Sequence, residues 1–341
     1  MNNNKIFELL GYNNNCKISN LSENSKNEVI NYINEYFLEL RNTIDMNNND
    51  TFGFEMEAEV FKYSKVYELM NKYGFNLSKW IIKPDNSLYR GYEVVTPMLT
   101  KNNISWEDIN YICDIIKDNS KVGIHASSHI HVGAQALKND KEFIIRLIHL
   151  LCAYENIIYR FAYGEFLNER PRILSYARPC SKSWYEMLSV FKNYDYINNF
   201  EMIKWLSCND KNMGINLTNA SSLDEIKYKN TIEFRMFNYT LNPIIWQNNY
   251  NLVNHFIKYC NSELFDYDTV LKRIEVNKIN FNSILYYRSI DADGAIEFAD
   301  LIFDKNIDKI YFLRQYLKNM EETTSEYLQP AKQFTKIPFE K

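Results

Sequence analysis

The sequence predicts an α+β protein with one core and helical additions at both ends. Three observations carry that prediction. Several segments alternate apolar and polar residues with period two, the pattern of strands with one apolar face. Others repeat apolar residues at helical spacing behind an N-cap. No internal repeat and no Pro/Ser-rich linker divides the 341 residues, and only 9 Gly and 7 Pro are present. Hydrophobic residues at 46% and charged residues at 24% are globular values, which exclude wholesale disorder and collagen-like chains.

Taken in order, Ser25 and Glu28 form a capping box ahead of Val29, Ile30, Ile33, Phe37 and Leu40, which predicts a helix over about 26–42. A polar linker, 43–50, leads to TFGFEMEAEV (51–60), where Phe52, Phe54, Met56 and Ala58 alternate with Glu55, Glu57 and Glu59 as on a strand. A short helix over 64–73 ends at Gly74. Strands at 80–83 and 92–97 follow, joined through Pro84-Asp85-Asn86-Ser87. Ser105 caps a helix with Ile109, Ile112, Cys113 and Ile116 on one stripe. The second half of GIHASSHIHVG (123–133) reads as a strand, and Asp140 caps a long helix to Tyr163. Residues 164–182 read as an irregular basic loop, 213–218 and 230–238 as strands. Asn242-Pro243 is an N-cap and first-turn pair for a helix carrying Trp246, Val253, Phe256 and Ile257. The chain after 263 reads as mostly helical to about 320, with weak order in the last twenty residues.

Composition also excludes function classes. A formal charge of −4 supplies no positive field for a nucleic-acid backbone. Arg146, His149, Glu155 and Arg160 break the longest apolar run, Phe143 to Tyr163, so it reads as a buried helix and not a membrane span. The first residues lack the basic and apolar regions of a signal peptide. The six cysteines form no CxxC pair, which argues against a structural zinc knuckle and fits a reducing, cytoplasmic setting. No Walker A motif is present, so any nucleotide is held without a P-loop.

The polar faces of the strands carry the chemistry. Glu55, Glu57 and Glu59 share one face; like charges so close must either lie in water or be neutralised by cations. His129 and His131 share a face, and three of the five histidines fall between 125 and 131, a clustering that suits metal or phosphate binding as well as an exposed strand end. Glu233 and Arg235 form either a surface ion pair or a metal-binding carboxylate beside a phosphate-binding guanidinium. Asp85 sits in a turn, and Glu93 in a strand otherwise suited to burial. Side by side in an antiparallel sheet, these groups would line one concave face suited to several Mg²⁺ or Mn²⁺ ions and a nucleotide triphosphate.

The words GFEMEAEV, KPDNSLYRGYEVVTP, GIHASSHIHVG, MGINLT and TIEFRMFN, in this order, resemble the putative amidoligase family of the glutamine synthetase and glutamate–cysteine ligase superfamily. The resemblance covers 51–260 and leaves 1–50 and 261–341 as helical extensions. It implies a curved antiparallel sheet of the glutamine synthetase catalytic type, packed by helices. It also implies ATP-dependent joining of a small-molecule or peptide carboxylate to an amine or ammonia. Carried over to this sequence, Glu55, Glu57, Asp85, Glu93, His129 and Glu233 become ligands of two or three Mg²⁺ or Mn²⁺ ions. His131, Arg235, Arg172 and Asn216 become nucleotide or substrate contacts. Arg235, Glu57 and Glu233 are placed at the chemistry. Glu59 extends the usual acidic pair without an implied role, and Asn86 stands where the family has Gly. Arg170 and Arg178 share the basic loop with Arg172. A phosphotransferase of the same fold and a non-catalytic nucleotide- or partner-binding relative are the alternatives; oligomeric state is not indicated.

Overall fold

The computed structural model describes residues 5–12, 14–46, 50–121, 125–135, 137, 140–164, 173–193, 197–208, 210–220, 230–277 and 290–318. Six strands, β1 (Phe52–Ala58), β2 (Ile81–Asp85), β3 (Gly91–Val95), β4 (Ser127–Gly133), β5 (Ile215–Asn216) and β6 (Thr231–Asn238), form one sheet in the order β2-β3-β1-β4-β6-β5. Every neighbouring pair is antiparallel. The helices are α1 (Lys5–Leu10), α2 (Glu23–Glu35), α3 (Tyr63–Lys72), α4 (Trp106–Asn119), α5 (Lys141–Ala162), α6 (Ile173–Tyr176), α7 (Ser181–Asn193), α8 (Asn199–Ser207), α9 (Pro243–Cys260), α10 (Tyr267–Asn277), α11 (Ala292–Ile302) and α12 (Asn306–Tyr316).

One face of the sheet is apolar and covered. Phe52, Phe54, Met56 and Ala58 on β1 are buried with Ile130 and Val132 on β4 and Ile232 and Phe234 on β6. The Phe54 ring lies 4.9 Å from Trp246 and the Phe52 ring stacks 4.0 Å from Tyr250, both on α9. Each large side chain buried there stabilises the fold by about 1.5–3 kcal/mol, so the period-two pattern fixes which face turns inward. Asn242 caps α9 by accepting from the Ile244 N–H, with Pro243 in the first turn, as the sequence indicates. The Asp140 cap of α5 and the Ser105 cap of α4 also form. From Leu147 to Ala162 every residue of α5 is buried, as in a helix enclosed by a core. No described helix is long and apolar enough to cross a membrane.

A β-bulge separates two registers of the β4–β6 pair. Ser128 faces Phe237 while Ile130 faces Phe234, so β6 carries one extra residue opposite His129. The bulge lets Phe234, Met236 and Phe237 all be buried while Glu233 and Arg235 stay on the opposite face.

Four expectations are corrected. The first helix runs over Glu23–Glu35 with Ser22, not Ser25, as its cap; Ser22 accepts from the Ser25 N–H. At Tyr36 the backbone turns extended and the helix ends, because side chains from α9 and α12 satisfy the backbone that follows. Arg314 Nε donates to Tyr36 O (2.7 Å), Tyr311 Oη to Glu39 O (3.0 Å), and Gln247 Nε2 to Arg41 O (2.8 Å). The basic loop is interrupted by α6 and gives way to α7 at Ser181. The strand expected over 213–218 shrinks to Ile215–Asn216, since Asn216 Oδ1 accepts from the Thr218 N–H (2.9 Å) and turns the chain. The part of the basic loop with Arg170 and Arg172, and the last twenty residues, lie outside the described residues.

Candidate active site

Sheet register brings polar residues of all six strands onto one face. Lys83 on β2 faces Glu93 on β3, which faces Glu57 on β1. Glu55 on β1 faces His129 on β4. His131 faces Glu233 on β6, which faces Asn216 on β5. Directly opposed residues in an antiparallel pair point the same way, so three cross-strand rows form one continuous polar surface. It lines a cleft of about 340 Å³ with Asp85, Ser127, Tyr176, Lys211, Asn219 and Arg235 around it.

The sequence left open whether these carboxylates face water, and they do not. Glu55, Glu57, Glu93 and Glu233 are between 4 and 7% exposed. Buried carboxylates need partners, and the neighbouring strands supply some. His129 Nδ1 lies 3.3 Å from Glu55 Oε2 and 3.4 Å from Glu233 Oε1, and its Nε2 lies 3.5 Å from Glu57 Oε1. Ser127 donates to Glu57 Oε2 from both its backbone N–H and its hydroxyl, each at 2.7 Å. Asn216 Nδ2 donates to Glu233 Oε2 (2.6 Å). Arg235 donates to Glu233 and, through Nε, to Tyr176 O at 3.2 Å. Lys83 pairs with Glu93.

Charge follows from this geometry. Burial opposes ionisation of Glu55, but the imidazoles of His129 and His131 outweigh it and hold the carboxyl well below the usual range. Burial likewise opposes ionisation of Glu233, and Arg235, His131 and His129 reverse the sign. Glu93 shifts the other way: burial and the Glu55 charge raise it more than Lys83 lowers it. A cation between these acids would favour all of them ionised.

Two groups of donors are close enough to share an ion. Ligand atoms of Glu55, His131 and Glu233 lie within 4.8 Å of one another, as do those of Glu57, Asp85 and Glu93. His131 Nδ1 is held by Thr231 Oγ1 at 3.1 Å. Its Nε2 is buried, 3.2 Å from Glu55 Oε1, and makes no hydrogen bond among the described residues. A buried ring nitrogen facing two carboxylates without a hydrogen bond of its own, its other nitrogen held by a hydroxyl, is an arrangement that could take a divalent ion. Oxygen-rich sets with one imidazole suit Mg²⁺ or Mn²⁺.

Of the residues singled out from sequence, Glu55, Glu57, Asp85, Glu93, His129, His131, Glu233 and Arg235 all line the cleft. Asn216 stands behind Glu233. Arg178 instead pairs with Asp210, and Arg172 lies outside the described residues. Sequence reading missed Lys83, Ser127, Tyr176 and Lys211, and counted His125 only within the histidine cluster without giving it a role. Ser127 was accessible, because it precedes His129 by two and so shares its face. Lys83 shares Asp85's face by the same rule. Lys211 and Tyr176 carry no local signal.

An antiparallel sheet presents buried carboxylates, imidazoles and an arginine to one cleft, a donor set that could hold divalent cations. Residues 42–257, more than half of the chain, match the family described as "putative amidoligase enzyme", and the chain belongs to that family. No curated protein matches it.

Proposed function

We propose that the protein is an ATP-dependent carboxylate–amine ligase of the glutamine synthetase type, forming an amide through an acyl phosphate. Its substrates would be a small-molecule or peptide carboxylate and an amine or ammonia. The observation that carries this reading is the pair of carboxylate-rich donor groups side by side on one sheet face, with Arg235 beside one of them. Mg²⁺ or Mn²⁺ ions held by Glu55, His131 and Glu233 and by Glu57, Asp85 and Glu93, with His129 in reach of both sides, would neutralise the phosphate oxygens of bound ATP.

The chain's own residues do the rest. Arg235, anchored by Glu233 and Tyr176 O, presents a fixed guanidinium to charge on the transferred phosphoryl group. Ser127 orients Glu57, Thr231 orients His131, and Asn216 orients Glu233. Such supporting contacts keep ligands in place without reorganisation during the reaction. Arg172 remains a candidate substrate or phosphate contact.

Incubation with ATP, Mg²⁺ or Mn²⁺, and a panel of amino acids and dicarboxylates with ammonia and amines should yield ADP, phosphate and an amide. Glu55→Ala and Arg235→Ala should each lower turnover by about 10²–10³-fold or more while circular dichroism stays unchanged. Full activity in both variants would overturn the assignment. A phosphorylated carboxylate or guanidine without amide would instead identify a phosphotransferase.

A further inference from the structure

Amide formation from an acyl phosphate requires the incoming amine to lose a proton, and the metal-type groups above offer no free base for it. A different pair of residues does. Glu59 follows Glu55 and Glu57 along the same strand face and is 8% exposed, yet it belongs to neither donor group. Its Oε1 lies 2.9 Å from His125 Nδ1. His125 lines the same cleft as both donor groups, and no other polar partner of its ring is found among the described residues. The Glu59 backbone is held by a pair of bonds: its N–H donates to Lys121 O (3.2 Å) and Lys121 N–H to Glu59 O (2.8 Å). Immediately after Glu59, Val60 sits at φ +48°, a conformation that β-branched residues rarely adopt.

We infer, building on the ligase reading, that His125 is the proton acceptor for the amine and that Glu59 is its positioning residue. An arriving ammonium gives one proton to His125 Nε2, and the freed amine nitrogen attacks the acyl carbon, forming C–N as the C–O bond to phosphate breaks. The second N–H proton leaves with the departing inorganic phosphate, and the imidazolium later returns its proton to water. Glu59, buried and hydrogen-bonded to Nδ1, fixes the ring orientation and stabilises the imidazolium. This is the arrangement by which a carboxylate-backed histidine serves as a general base.

The test separates the two halves of the reaction. With the panel carboxylate that supports ADP formation, hydroxylamine and ammonia are compared as nucleophiles in wild type, His125→Gln and Glu59→Gln. Hydroxylamine is largely unprotonated at neutral pH, whereas ammonia arrives as ammonium and depends on a base. The ratio of amide to hydroxamate should fall about 10²-fold or more in His125→Gln and by a smaller factor in Glu59→Gln, and the hydroxamate itself reports that each variant is folded. A ratio within threefold of wild type in His125→Gln, or loss of both products in both variants, overturns the inference. Absence of ADP with every panel member in the wild type overturns the ligase reading, and the dyad with it.

Discussion

On the sheet face, four buried carboxylates crowd together with two imidazoles, Arg235 and Lys83, and His131 Nε2 has no hydrogen bond. Where α12 meets the N-terminal segment, buried polar groups meet complementary ones. Lys309 Nζ donates to Asp300 Oδ1 (2.7 Å), Asn15 Oδ1 (2.8 Å) and Cys16 O (2.6 Å). Asn306 accepts from the Cys16 N–H (2.9 Å) and donates to Gly11 O (2.9 Å). Both regions hide charge, but only one is complete by itself. An ammonium with three acceptors has used all its donors, so that junction is a fastener. An excess of acids would be relieved by something cationic, which is why the proposed function places its ions on that face.

The contrast can be broken at several points, starting with the largest effect. Lys309→Ala leaves Asp300 buried without its cation and should cost about 3–5 kcal/mol, read as a lower urea midpoint. A loss under about 1 kcal/mol would mean that the junction is not held by this pair.

Glu155 is an intermediate case: a single carboxylate on α5, fully enclosed, accepting from the Cys180 N–H (2.6 Å) and from Ser181. Burial pushes it up to about 7 from the ordinary 4.5, against the hydrogen bonds of Ser181 and Cys180. Its folded value lies above its unfolded one, so the unfolded chain releases this proton first. This group therefore costs nothing below pH 4.5, destabilises progressively as pH rises to 7, and then levels off at roughly 3 kcal/mol. Glu155→Gln should remove that component, so the stability difference between variant and wild type should widen in the variant's favour from pH 4.5 to 8. A pH-independent difference in urea titrations would refute the shift.

Mn²⁺ sharpens the comparison from the other side. At about 100-fold over its dissociation constant, an ion bound only by the folded state stabilises by about 2.7 kcal/mol. The melting temperature of the wild type should rise accordingly, Glu233→Gln should lose most of the rise, and Lys309→Ala should keep it. No rise in the wild type would remove the metal from the sheet face. The smallest effect concerns the start of α2. Ser22→Ala should cost about 1 kcal/mol, whereas Ser25→Ala should stay within about 0.5 kcal/mol; the reverse order would restore Ser25 as the cap.

Much of this was legible locally. Period two in residues 52–58 reports the pleat, and Ser105, Asp140 and Asn242 announce helix starts because their side chains accept from nearby N–H groups. The carboxylates and histidines that line the cleft were visible because alternate strand residues share a face. The end of α2 was not legible. Phe37 and Leu40 continue a helical spacing, yet α9 and α12, more than two hundred residues away, supply the partners that hold 36–41 out of the helix. Likewise, either Ser22 or Ser25 can cap a helix, and packing chooses between them.

The sequence by itself determined which residues share a face and which could bear charge, because side-chain direction in a strand or helix repeats with the backbone. Only the tertiary structure decided which faces meet and how deeply they are buried. It alone set Glu57 opposite Glu93, turned His131 Nε2 toward Glu55 and brought His125 against Glu59. Strand order and register are settled by the whole hydrophobic core at once, and no local stretch of chain carries that information.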